Sequence, residues 1–173
     1  VLNKLSHPGS GWALGFRSEN KWIKAFNGLI KFNGKKVKSD TLFDLASLTK
    51  VVGTLPACFV LMKEGSLKLD KTINYYISNA GWFKNPSLGD VEIHNLLTHS
   101  SGLPAWKPLF AISNIPTILH ANVLQTEISN QGKRLYSDLG WIILGHIVER
   151  ITNTSLDQFI YENLLNPLGM KRT

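Results

Sequence analysis

DTLFDLASLTK, residues 40–50, places Ser47 and Lys50 three positions apart at the start of a helical pattern. Over residues 47–64 apolar side chains recur at helical spacing, and Gly65 predicts the end of the helix. Residues three apart on a helix share a face, so we expect the Ser47 hydroxyl beside the Lys50 amine. The positive end of the helix dipole also favours negative charge on a serine near the helix start. The segment therefore predicts a helix that begins with a candidate nucleophile and a neighbouring amine.

Three features after Lys50 predict the shape of this helix and the positions of two further helices. Pro56 is expected to kink the first helix, because its ring collides with the carbonyl group four residues earlier. Residues 139–151 form a second apolar pattern of helical period. Ser155 and Gln158 have the spacing of a capping box, which predicts a third helix that ends at Asn166-Pro167.

The first third of the chain reads as strands. Residues 11–16 and 21–26 are short apolar runs rich in aromatic side chains, and residues 17–20 between them suit a hairpin turn. Asn33-Gly34 marks a further turn. No convincing strand follows before Thr173, although a hairpin alone is marginally stable and needs partners.

Composition narrows the classes of function. The 173 residues suffice for one domain, and no apolar run is long enough to span a membrane. The net charge is +7, but the densest basic stretch has Phe32 as its single interleaved aromatic residue, so we predict a solvated loop and no nucleic-acid partner. That stretch contains Lys31, Lys35, Lys36 and Lys38. Cys58 is predicted to be a buried apolar residue, and the histidines lack ligand spacing, so we predict no metal and no cofactor.

Three later segments give residues 40–50 a context. Residues 96–104 read LLTHSSGLP, residues 136–138 read YSD, and residues 166–170 read NPLGM. Together the four segments resemble the penicillin-recognising serine hydrolases, which include class C β-lactamases, family VIII esterases and DD-peptidases. The segments occur in the order and spacing of that group, and the resemblance covers nearly the whole chain.

The resemblance implies roles for individual residues. Ser47 would be the nucleophile, and Lys50 and Tyr136 would handle protons, with Lys50 stabilising a Tyr136 phenolate whose pKa in water is about 10. Burial beside another cation would lower the pKa of Lys50 enough for it to accept a proton. Asp138, the predicted substrate-binding residue, stands where the group commonly has Asn; ionised, it accepts hydrogen bonds and donates none. His99 is expected to hold a turn together and not to act as the base.

The resemblance also implies an α/β fold of the β-lactamase/transpeptidase type, with an antiparallel sheet packed with helices. The group's third motif, Lys or His, then Thr or Ser, then Gly, has no candidate after Asp138. Residues 1–173 are therefore expected to be the N-terminal portion of a single hydrolase domain, with further strands beyond Thr173. The implied substrate is a small molecule or a peptidoglycan-like compound: an ester, a β-lactam or a D-amino-acid peptide. The alternative is a catalytically impaired fragment or a non-catalytic binding module that retains the scaffold.

Overall fold

The computed structural model describes residues 11–77 and 86–173. Its contacts divide the chain into two compact units, the first ending at Asp44 and the second starting at Leu45. The described strands belong to the first unit and the described helices to the second. No helix within the described ranges is long and apolar enough to cross a membrane.

The predicted hairpin is confirmed. Strands β1 (Gly11–Ser18) and β2 (Lys21–Gly28) pair antiparallel, with the last residue of β1 opposite the first residue of β2. Glu19 and Asn20 lie between them with φ angles of 46° and 63°, as a type I′ turn requires at both central residues. The turn is thus shorter than the predicted four residues, because Arg17 and Ser18 belong to the paired part of β1.

After β2 the chain forms a turn in a basic segment. Asn33 has a φ of 54°, and the N–H of Gly34 donates to the carbonyl of Lys31 at 2.8 Å, which confirms the turn predicted at Asn33-Gly34. Val37 is buried in this segment. The four lysines of the stretch are exposed, as the prediction of a solvated loop required: Lys31, Lys35, Lys36 and Lys38.

The helical segment after Ser47 is π-helical before it becomes α-helical. Lys50–Thr54 forms a π-helix, and α1 spans Leu55–Lys63. Pro56 lies in the first turn of α1, where it has no N–H to donate to the carbonyl four residues earlier. The N–H of Leu55, the first residue of α1, donates to the carbonyl of Lys50, five residues earlier. The distortion predicted at Pro56 therefore takes the form of a π-helical stretch just before it, a feature frequent at functional sites.

The long helix α6 (Asp138–Thr152) organises the second unit. Besides α1 and α6, the α-helices of the described residues are α2 (Ile73–Tyr76), α3 (Pro86–Gly89), α4 (Ile93–Leu97), α5 (Pro116–Leu124) and α7 (Leu156–Ile160). Helix α6 contacts α1, α2, α4, α5 and α7, and eight of its 15 residues are buried. This confirms the helix predicted over residues 139–151. Cys58 of α1 is fully buried in the same core, as predicted, and burial raises the pKa of its thiol to about 12.

The third predicted helix forms, but its predicted capping box does not. The Ser155 side chain makes no capping hydrogen bond to α7. Glu149 of α6 supplies the cap instead, because its Oε1 accepts the N–H of Leu156 at 3.1 Å. Helix α7 continues as a π-helix over Tyr161–Leu165 and ends at Asn166, as the sequence predicted.

Candidate active site

Ser47, Lys50 and Asp138 form a chain of close polar contacts within the second unit. The Lys50 ammonium nitrogen lies 3.1 Å from Ser47 Oγ and 2.6 Å from Asp138 Oδ1. The Lys50 side chain is only 13% exposed, whereas Ser47 lies at the surface. Helical spacing brings Ser47 beside Lys50, and the N-terminus of α6 brings Asp138 to the same amine. A candidate nucleophile open to solvent thereby lies beside a cation that is largely buried.

Tyr136 completes the cluster from the loop before α6. The Lys50 nitrogen lies 4.9 Å from the centre of the Tyr136 ring, within the range of a cation–π contact. Hydrogen bonds to Ser47 and Lys50, together with the charge of Lys50, hold the pKa of the Tyr136 phenol below its usual value. The ring is half exposed. The phenol oxygen is thus placed to exchange a proton with Ser47.

The expected lowering of the Lys50 pKa is wrong. Burial does lower the pKa, but the hydrogen bonds and charges of Asp138 and Tyr136 outweigh burial, so the net shift is upward. The sequence argument required a second cation beside Lys50, and the structure places a carboxylate there instead. Lys50 therefore remains an ammonium donor, and Tyr136 is the better proton acceptor in this cluster.

The segment LLTHSSGLP holds Tyr136 in place by binding the residues on either side of Tyr136. Hydrogen bonds join residues 135–138 to this segment and to Ala105 just after it: the Leu135 N–H to the His99 carbonyl (2.8 Å), Ser137 Oγ to the Pro104 carbonyl (2.7 Å), and the Asp138 N–H to the Ala105 carbonyl (2.7 Å). Ser137 is almost fully buried, so its side chain anchors the residue between Tyr136 and Asp138. The sequence did not indicate this anchoring role, because the partner carbonyls belong to a segment more than 30 residues away.

His99 has a supporting position, in line with the sequence-based expectation. Its ring stacks on Tyr136, with the ring centres 4.5 Å apart. Nδ1 faces the Ser137 N–H at 3.0 Å and Nε2 faces the Trp141 indole N–H at 3.2 Å; a neutral imidazole accepts at only one of them. Burial and the nearby charge of Lys50 lower the His99 pKa and favour the neutral ring. Both ring nitrogens face backbone or indole N–H groups, so neither is directed at Ser47.

Ala46 introduces backbone strain next to Ser47. Its φ angle is 44°, in the left-handed region that non-glycine residues seldom occupy. The N–H groups of Leu48 and Thr49 then donate to the carbonyls of Leu45 and Ala46, which starts the helix at Ser47. Residues in such conformations cluster at active sites. Nothing in the identity of an alanine reveals this conformation, so the sequence analysis missed it.

Gly102 is expected to be intolerant of a side chain. Its φ angle is 81°, and a Cβ atom there would lie 2.7 Å from the Ser129 carbonyl oxygen. Gly65 has a similar φ of 76° but no atom within 4 Å of the corresponding position. Gly65→Ala should cost about 1–2 kcal/mol of unfolding free energy, the strain of a left-handed alanine. Gly102→Ala should cost about 3 kcal/mol or more, because the clash adds to that strain.

Urea unfolding of the two glycine variants beside the wild type measures both costs. The pair separates backbone strain, which both variants share, from the clash, which only one of them has. Equal losses of stability in the two variants would contradict the close packing described at Gly102.

Comparison with known proteins shows the family of this chain. A protein-family model described as Beta-lactamase matches residues 7–173. The chain is 32% identical over 170 residues to a protein of Escherichia coli O157:H7 named "Putative D-alanyl-D-alanine carboxypeptidase", covering 87% of this chain and 39% of that protein. It is 30% identical over 154 residues to the N-acetylmuramyl-L-alanine amidase of Bacillus subtilis strain 168, covering 80% and 34%. The chain thus spans between a third and two fifths of the length of these relatives.

Solved structures confirm the expected α/β fold. The D-amino acid amidase of Ochrobactrum anthropi SV3, complexed with L-phenylalanine amide, superposes with a TM-score of 0.76 at 23% identity, covering 94% of this chain and 46% of that one. A class C β-lactamase superposes with a TM-score of 0.74 at 26% identity, covering 98% and 46%.

Proposed function

Because this chain belongs to the beta-lactamase family, we propose that its protein is a serine acyl hydrolase with Ser47 as the nucleophile. One observation carries the proposal: the Lys50 ammonium bridges Ser47 and Asp138 and lies 4.9 Å from the centre of the Tyr136 ring. A nucleophile, a base and an orienting charge within hydrogen-bonding reach are what covalent acyl transfer requires. The family membership supports this reading over a chance arrangement of polar side chains.

In the proposed mechanism Tyr136 carries the proton. The Ser47 hydroxyl gives its proton to the Tyr136 phenolate as Oγ bonds to the substrate carbonyl carbon. Tyr136 then passes the proton to the leaving group as the bond between the carbonyl carbon and that group breaks. Water repeats the exchange on the acyl-enzyme: it gives a proton to Tyr136 as it attacks, and Tyr136 returns the proton to Ser47.

Lys50 and Asp138 have electrostatic roles in this mechanism. The raised pKa of Lys50 keeps it charged, so it stabilises the phenolate and the charge that develops at Ser47. Asp138 holds the ammonium with its Oδ1, while half of its side-chain surface stays exposed. The Ser47 backbone amide, at the start of the helical segment, is our candidate for one oxyanion donor.

We propose that the substrate is a D-amino-acid derivative, such as an amide or a peptide, whose carbonyl carbon Ser47 attacks. The relatives named as D-alanyl-D-alanine carboxypeptidase and D-amino acid amidase both act, by their names, on D-amino-acid derivatives. Asp138 also supports a substrate other than a β-lactam, since a carboxylate cannot donate to the lactam side-chain carbonyl. Esters remain reactive with any such site because their carbonyl is activated.

The experiment is a substrate panel on the full-length protein. A p-nitrophenyl ester, a D-alanyl-D-alanine peptide, a D-amino acid amide and a chromogenic cephalosporin would be assayed at equal concentration. The proposal expects turnover of the ester and of at least one D-amino-acid substrate, with the cephalosporin slowest. Absence of turnover and of any covalent adduct would favour a non-catalytic binding module instead.

Asp138→Asn should change both the pH profile and the substrate preference. Asp138 raises the pKa of Lys50 and of Tyr136, so its neutralisation lowers both pKa values. The rate needs the Tyr136 phenolate, which forms as the pH rises through its pKa, so the rising limb should move to lower pH. The new amide also donates, and one hydrogen bond of about 1.4 kcal/mol should raise cephalosporin acylation relative to ester acylation about tenfold.

Asp90→Asn is the matched control, because Asp90 is an exposed aspartate between α3 and α4 that is not among the groups shifting the pKa of Lys50 or Tyr136. It should leave both the pH profile and the substrate ratio unchanged. A pH profile that does not move in Asp138→Asn would contradict the electrostatic role given to this carboxylate.

A further inference from the structure

Two histidines and a glutamate converge where α5 meets α6. His120 lies on α5, and His146 and Glu149 lie one turn apart on α6. One ligand atom from each residue lies within 4.8 Å of the other two. The two imidazole rings are 4.1 Å apart at their centres and inclined by 39°. Three residues with side chains that commonly bind metals are thus gathered in one place.

His146 carries an unsatisfied polar atom at this place. Its Nδ1 is buried and has no hydrogen-bond partner among the described residues. The nearest carboxylate oxygen, Oε2 of Glu149, is 3.7 Å away, which is too far for a hydrogen bond. A buried polar atom without a partner costs about 1–3 kcal/mol, so its presence calls for an explanation. Stacking of the two rings does not provide one, because stacking leaves Nδ1 unpaired.

Glu149 is already oriented by the fold. Its Oε1 accepts the N–H of Leu156 and caps α7, which leaves Oε2 on the side of His146. Hydrogen bonds to the outer side of a ligand are the usual means of orienting metal-binding residues. The cap therefore holds one carboxylate oxygen towards the histidines before any ion arrives.

The side chains are close to the arrangement that a bound metal ion requires. Imidazoles bind metals through a nitrogen lone pair. In a tetrahedral site with bonds of 2.0–2.1 Å the ligand atoms are about 3.3 Å apart. Side-chain rotations that move each ligand atom by about 1 Å would bring the three atoms to that spacing.

We propose that His120, His146 and Glu149 form a binding site for a divalent transition-metal ion of the zinc type. Two imidazoles and a carboxylate suit zinc and its neighbours better than magnesium or calcium, which prefer oxygen ligands throughout. The three residues also line a cleft of about 320 Å³ that Lys50 and Asp138 border. The cleft gives an ion a path from solvent and leaves room for water at a fourth position. A bound ion would tie α5 to α6.

Sequence spacing could not reveal this site. His120 and His146 lie 26 positions apart, and only the packing of α5 on α6 brings them together. The expectation of no metal site rested on spacing along the chain, and this proposal revises it.

The test uses Zn²⁺ alone on the full-length protein after chelation. Competition with a fluorescent zinc chelator gives the affinity and the stoichiometry, and Zn²⁺ should raise the melting temperature of the wild type. We expect one equivalent to bind and expect His120→Asn or His146→Asn to weaken binding by more than about 100-fold, beyond the loss typical of outer partners. Glu149→Gln retains an oxygen that can cap α7, so it should weaken binding without unfolding the protein.

His94→Asn is the matched control, because His94 is an exposed histidine on α4. It should bind Zn²⁺ as the wild type does. Circular dichroism melting in chelator shows which variants fold, and if His146→Asn unfolds, Glu149→Gln and the half-buried His120→Asn decide the outcome. Absence of binding by the wild type, or equal affinity in Glu149→Gln, His120→Asn and His94→Asn, overturns the proposal.

Discussion

Ser47→Ala should abolish covalent labelling and reduce ester turnover by at least about 10⁴-fold, because loss of the nucleophile removes the acyl-enzyme route altogether. The structure adds a reason to expect so large an effect. Ser47 is exposed at the start of its helical segment, and its Oγ accepts a hydrogen bond from Lys50. Mass spectrometry after reaction with a p-nitrophenyl ester measures the adduct, and peptide mapping locates it.

Ser66→Ala is the control for this experiment. Ser66 is exposed in the turn after α1, and its substitution should leave labelling and turnover at wild-type levels. Labelling that persists at full extent in Ser47→Ala would mean that another residue is the nucleophile. Both variants should unfold at the same denaturant concentration as the wild type, since neither hydroxyl lies in the core.

Lys50→Ala and Tyr136→Phe should each lower the acylation rate by at least about 100-fold, the usual scale for loss of a general base. The double variant should be little slower than either single variant, because the two groups act as one unit. The coupling has a structural cause: the Lys50 ammonium lowers the pKa of the Tyr136 phenol, so removal of the lysine leaves less of the phenolate base at a given pH. Pre-steady-state kinetics with an activated ester separate acylation from deacylation.

The pH profile distinguishes the roles of the two residues. In the wild type the rate should rise as Tyr136 deprotonates, at a pH below the usual tyrosine value of about 10. In Lys50→Ala that rise should move to higher pH, and in Tyr136→Phe it should disappear. Tyr161→Phe, at an exposed tyrosine in the last π-helix, should leave the profile unchanged. Full additivity of the two single losses would refute the proposed coupling.

The sequence alone determined the local elements and the identities of the candidate groups. Apolar periodicity sufficed for α6, and two short apolar runs rich in aromatic residues around a turn sufficed for the hairpin, because these patterns depend on residues close in the chain. The pairing of Ser47 with Lys50 was also predictable, since three positions along a helix set it. The proline signalled where the first helix departs from α-helical geometry, although not that the departure would be a π-helix.

The tertiary structure alone decided the electrostatics of these groups. Asp138 lies 88 positions from Lys50, and its carboxylate turned an expected lowering of the Lys50 pKa into a rise. Glu149 replaced Ser155 as the cap of α7, and His120 met His146, through the packing of helices that no local pattern specifies. A pKa depends on which charges lie within a few ångströms and on how much water remains. Those two quantities are set by packing between distant segments, whereas helix and strand propensities are set by neighbours in the chain.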